Sequence, residues 1–138
     1  MVRIALTSLL STFLMLFVSC TQETFVVVRD SSVAAKLDLF DGFEGRHVNL
    51  YLNGQLSYSA TLGTLVPLSG PIDQFETSLF HGVNTIVAEC WQEESPGSSY
   101  TKRTTTVILG DADKYFLALS LRSDTLLVNV QDTPFIYI

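Results

Sequence analysis

The run Val48-Asn49-Leu50-Tyr51-Leu52-Asn53-Gly54-Gln55-Leu56-Ser57-Tyr58 reads as two strands joined by a tight turn. Asn-Gly accepts φ > 0 at both central positions, as a type I′ turn requires if it is to follow the right-handed twist of its strands. A two-residue loop then sets Leu52 opposite Gln55, Tyr51 opposite Leu56, Leu50 opposite Ser57 and Asn49 opposite Tyr58. Side chains alternate along a strand, so Val48, Leu50 and Leu52 share one face and Tyr51, Leu56 and Tyr58 the other. Large apolar groups on both faces imply a hairpin covered on one side by a second sheet and partly covered on the other.

Working outward, the same texture continues. No long stretch after residue 22 keeps a helical period, while short β-branched, aromatic and aliphatic runs recur between turn residues. Strands are expected at 24–29, 34–40, 46–52, 55–61, 74–79, 84–92, 100–109, 114–121, 125–130 and 135–137. His81-Gly82-Val83-Asn84 forms a tight corner, Ser95 to Ser99 a polar loop and Gly110-Asp111-Ala112-Asp113 a turn. Around Pro71 the spacing fits a helical turn or a strand, and a loop leading into a strand is preferred. The fold class is all-β: one immunoglobulin-like antiparallel β-sandwich over residues 24–138. A transmembrane barrel is the other architecture open to alternating strands, but acidic residues within 34–40 and 84–92 suit a sandwich better.

The first twenty residues have the parts of an export signal. Arg3 supplies the positive start, an apolar stretch runs from Ile4 to Val18, and polarity begins at Thr21-Gln22-Glu23. The stretch is short for a membrane span, and no basic stop follows it. Leu16-Phe17-Val18-Ser19-Cys20 resembles a bacterial lipobox, with Phe17 where Leu is favoured. The resemblance implies cleavage after residue 19, acylation of Cys20 and a short tether over 20–23. Thr21 lacks the acidic group that retains such lipoproteins in the inner membrane, so the implied location is exported and outer-membrane. Mature Cys90 is then alone, and its apolar neighbours make it a buried structural thiol.

A second resemblance covers residues 48 to 109. Val48-x-Leu50-x-Leu52-Asn53-Gly54, Phe75-x-x-x-Leu79-x-x-Gly82-x-Asn84-Thr85-Ile86 and the strand from Tyr100 to Leu109 are similar to bacterial immunoglobulin-like modules of the glucodextranase B type. Such a module implies an accessory or binding role and transfers no catalytic residue. The chain departs from it at Glu93-Glu94-Ser95-Pro96-Gly97 and from Lys114 onward.

Composition narrows the chemistry. A net charge of −6 and no basic stripe exclude nucleic acid as a partner. His47 and His81 lack zinc spacing and read as hydrogen-bonding or surface histidines. No serine sits in a nucleophile-elbow motif. Asp38, Asp41 and Glu44 flank Gly42, and Asp111 and Asp113 share a turn. Asp111 and Asp113 are weak calcium candidates, although acidic turn residues ordinarily bond their own backbone, so no metal and no cofactor are expected. Trp91 reads as core. Among Tyr51, Tyr58, Tyr100 and Tyr115, the pair Tyr51 and Tyr58 is the expected exposed ligand surface. Phe135, Ile136 and Tyr137 end the chain as a docked edge strand or as an edge offered to a partner.

These readings converge on a non-enzymatic envelope lipoprotein that binds a protein partner or a polysaccharide. It would be held to the membrane through its lipid and belong to a larger assembly. A carbohydrate-binding module using the tyrosines is the alternative, and a small hydrolase a distant one.

Overall fold

The computed structural model describes residues 31–64, 70–94 and 99–138. Eight strands follow in order: β1 (Ser32–Leu39), β2 (His47–Leu52), β3 (Gln55–Thr61), β4 (Asp73–Phe80), β5 (Gly82–Trp91), β6 (Thr101–Leu109), β7 (Lys114–Arg122) and β8 (Thr125–Gln131). They form two four-stranded sheets, ordered β4-β1-β7-β8 and β3-β2-β5-β6, and the sheets pack as a sandwich of the immunoglobulin-like kind. Every ladder is antiparallel except β1–β7, which is parallel. The exception arises where the chain leaves β6, crosses between sheets through 110–113 and lays β7 beside β1. The strand expected at 24–29 lies outside the described residues.

Period-two alternation builds the core. β1 turns Val33, Ala35, Leu37 and Leu39 inward, β2 Val48, Leu50 and Leu52, β5 Ile86, Ala88 and Cys90, and β7 Leu117, Leu119 and Leu121. Each buried Leu, Ile or Val contributes about 1.5–3 kcal/mol of transfer free energy. Phe43, in the β1–β2 loop, is fully buried and closes one end of the core. Cys90 is free and has no exposed surface. Burial pushes its thiol up to about 11. Cys90 is therefore expected to resist iodoacetamide at pH 8 until the chain unfolds, because the thiolate is the nucleophile. Alkylation of the folded chain as fast as in urea would show that the thiol is not buried.

The Asn53-Gly54 hairpin forms with φ of 52° and 84°, as a type I′ turn needs. Its register departs from expectation after two pairs. Leu52 faces Gln55 and Tyr51 faces Leu56, but a bulge follows and Leu50 faces Tyr58 rather than Ser57. The extra residue reverses the faces of everything beyond it in β3. Tyr58 consequently points inward, stacks on Phe75 at 4.8 Å between ring centroids and donates to Asp73 Oδ2 at 2.6 Å.

The corner between β4 and β5 passes from one sheet to the other through His81 and Gly82, the latter at φ +90°. Asn84, fully buried, holds it. Its Oδ1 accepts from Phe80 N and Asn53 Nδ2, both at 2.9 Å, while its Nδ2 donates to Phe80 O at 2.7 Å and Gly82 O at 3.1 Å. Asn53 Oδ1 accepts in turn from Thr85 N at 2.9 Å, tying hairpin to corner. The Gly-x-Asn spacing thus has a physical cause.

The end of the chain is the second correction. Residues 135–137 form no strand. The segment instead lies across the outer face of the β4-β1-β7-β8 sheet. Tyr137 packs against Phe40 at 5.6 Å and donates to buried Asp38 Oδ2. Aromatic packing and one hydroxyl hold it there, in place of a backbone ladder.

Candidate functional site

Alternation that fills the core from one side of β2, β5 and β6 sends a second set of side chains to the outer face of their sheet. Cross-strand pairing aligns them in rows. His47 lies opposite Trp91, Asn49 opposite Glu89, Glu89 opposite Lys102, and Tyr51 opposite Val87. Tyr100, just before β6, is 52% exposed beside these rows.

The centre of this face is Glu89. Lys102 Nζ stands 3.2 Å from its Oε1, and Tyr100 and Tyr51 both hydrogen-bond to the same carboxylate. Burial alone would raise the pKa of Glu89, but the bonds from Lys102, Tyr100 and Tyr51 outweigh it and hold the carboxyl below its ordinary value. Partial burial and the bond to Glu89 push the Tyr100 phenol up. The Glu89 carboxylate therefore stays ionised at neutral pH and fixes two tyrosine rings at their hydroxyl ends. Tyr51, Gly54, Val87, Glu89 and Lys102 enclose a shallow depression of about 300 Å³.

At the other end of the face, His47 and Trp91 lie 4.6 Å apart between ring centroids. His47 Nδ1 meets Thr61 Oγ1 at 2.9 Å, its Nε2 meets Ser59 Oγ at 3.2 Å, and Thr61 donates to Glu93 at 2.7 Å. Serine, histidine and carboxylate in series invite a hydrolytic reading. Acyl transfer, however, draws most of its rate from donors preorganised around the reacting oxygen in a water-excluding site. Here Ser59 and Glu93 are exposed on an open sheet surface, and the network's evident work is to orient the His47 ring against Trp91.

The structure regroups the aromatic candidates. Tyr51 and Tyr58 share no face, because the bulge turns Tyr58 inward. Tyr115 is also inward, 8% exposed, with its hydroxyl accepting from Ala112 N at 3.2 Å. Trp91, expected in the core, is outside it: Cys90 takes the inward position, so its neighbour faces out. Glu89 carried the missed signal. It is the only charged residue of β5, and it shares parity with Trp91.

The acidic candidates disperse. Asp41 pairs with Arg122 at 2.7 Å and Glu44 accepts from Gly42 N at 2.5 Å, while Asp38 lies under Tyr137. Asp111 and Asp113 are exposed in the β6–β7 turn, and among the described residues no three acidic, histidine or cysteine groups converge to hold a metal ion. His81 Nδ1 bonds Gly110 O at 2.5 Å. The largest groove, about 610 Å³ between the β2–β3 hairpin and β4, has no ionisable side chain in its walls. Cys20 lies outside the described residues. Comparison with protein families, with curated proteins and with solved structures finds no match for the chain.

Proposed function

We propose that the chain is an exported lipoprotein of the cell envelope that acts by binding, presenting the outer face of the β3-β2-β5-β6 sheet to its partner. One observation carries the reading: Tyr51, Trp91, Tyr100, Glu89 and Lys102, from β2, β5 and the approach to β6, gather on one solvent-facing surface. Rigid aromatic rings with a fixed charged pair among them are the side chains that dominate interface energies. The lipid anchor rests on the lipobox resemblance at Cys20, and the mass of the mature N-terminus tests it. An unmodified Cys20 would remove the anchor from the proposal.

A polysaccharide is the second reading, favoured by the flatness of the face and by hydroxyl, carboxylate and ammonium groups beside the rings. Cross-linking in native envelopes, followed by purification of the tagged chain, separates the two readings, with a glycan panel run in parallel. Tyr51→Ala, Trp91→Ala and Tyr100→Ala are each expected to weaken capture of whichever partner emerges by about tenfold or more. Tyr58→Phe, altered only on the inward side, is expected to leave capture unchanged. Capture unaffected by all three alanine variants would move the binding surface elsewhere.

A further inference from the structure

The opposite face of the sandwich, the outer side of β4-β1-β7-β8, is unlike the rest of the molecule. Its terminal segment leaves Ile136 85% exposed and Ile138 fully so, beside Leu127 at 45%. A depression of about 390 Å³ opens beside that segment, walled by Phe40, Ala118, Ser120, Leu127 and Asn129. An apolar projection and an apolar hollow therefore sit side by side on one surface.

Charge says what the surface can meet. The chain carries a net −6, so two copies repel as whole bodies. This face does not share the excess. The outward charges of its strands are Lys36, Lys114 and Arg122 against Asp38 and Glu76, and the rim adds Asp41. Most are already satisfied within the chain: Lys114 bonds Glu76 at 3.0 Å, Arg122 bonds Asp41 at 2.7 Å, and Asp38 is buried under Tyr137. A neutral, internally paired and partly apolar face is where two acidic copies can touch without bringing like charges together.

We propose that this face binds a second copy of the chain, forming a two-fold dimer in which Ile136 of each copy enters the hollow beside Leu127 of the other. Projection and hollow on one surface make it self-complementary, as a two-fold contact requires. Four strands of this length span roughly 20 by 27 Å. That area belongs to the small end of specific interfaces and implies micromolar rather than nanomolar dimerisation. Both aromatic faces stay exposed, on opposite sides of the pair, so a repetitive ligand would be held at two points.

Sedimentation of the full chain carrying Cys20→Ser, from about 1 μM to about 1 mM, tests the proposal across the range expected for an interface of this size. A monomer–dimer equilibrium is expected, weakened at least tenfold by Leu127→Lys and by Ile136→Lys and unchanged by Tyr51→Ala. Both lysine sites are exposed, so near-native circular dichroism should accompany the loss. Added salt should tighten the dimer, because it screens the repulsion between acidic bodies while the contact itself is apolar. A monomer at every concentration overturns the proposal, as does a dimer indifferent to both lysine substitutions. Neither result touches the aromatic-face reading, which rests on Tyr51, Trp91 and Tyr100.

Discussion

Replacing Asn84 by alanine is expected to destabilise the domain by about 3 kcal/mol or more, lowering Tm by roughly 15 °C. The side chain is fully buried and makes four hydrogen bonds: from Phe80 N and Asn53 Nδ2, and to the carbonyls of Phe80 and Gly82. Alanine removes them all in a place water cannot easily reach. A buried polar group left unpaired costs about 1–3 kcal/mol, well above the net worth of one bond. Asn84→Asp tests the same account from the other side. It keeps the acceptor, loses both donations and places a charge beside two carbonyls, so it should be at least as damaging. Urea midpoints of the two variants measure the effect. A shift of Tm under about 3 °C for the alanine variant would mean that the corner is held by something other than this side chain.

Gly42→Ala is expected to cost a similar amount or more, and to reduce the yield of folded protein. Gly42 adopts φ +96°, and a Cβ built there would lie 1.9 Å from Leu121 O and 2.7 Å from Leu121 C. Those are backbone atoms of β7, where Leu121 N also bonds Asp41 O at 2.9 Å, so they cannot step aside like the end of a side chain. The loop would have to lift, withdrawing fully buried Phe43 and loosening the Asp41–Arg122 pair. Removing a phenylalanine from a core costs about 3–5 kcal/mol. Gly54→Ala is the internal comparison. Its φ of +84° is equally unfavourable for alanine, but nothing stands within 4 Å of the new Cβ. Conformational strain alone, about 1–2 kcal/mol, should then be the whole loss. Equal losses at the two glycines would show that the contact with β7 is not what Gly42 serves.

The candidate site was legible in its ingredients and misread in its grouping. Tyr51 and Tyr100 were among the aromatics weighed, but Tyr51 was paired with Tyr58 by carrying an unbroken hairpin register past Ser57. The bulge places Tyr58 where it stacks on Phe75 and reaches Asp73, partners supplied by β4. No residue near the hairpin announces them. Trp91 was misassigned because both sides of β5 offer apolar groups, Ile86, Ala88 and Cys90 on one and Val83, Val87 and Trp91 on the other. Only Glu89 distinguishes the two sides.

By itself, the order of residues determined what a few neighbours can settle: an all-β chain, an Asn-Gly type I′ turn, a corner at Gly82-Val83-Asn84 and a buried Cys90. Turn type and strand alternation depend on backbone preferences and period-two patterning within a short window, so they can be read locally. Tertiary structure alone decided the parallel placement of β7 on β1, the bulge at Ser57, the outward phase of Trp91 and the course of Phe135 to Tyr137 over Asp38. Each depends on which distant surface is available to bury a side chain. The gain from burying a ring of Tyr or Phe exceeds the cost of one interrupted ladder, so packing between sheets overrides local register wherever the two conflict.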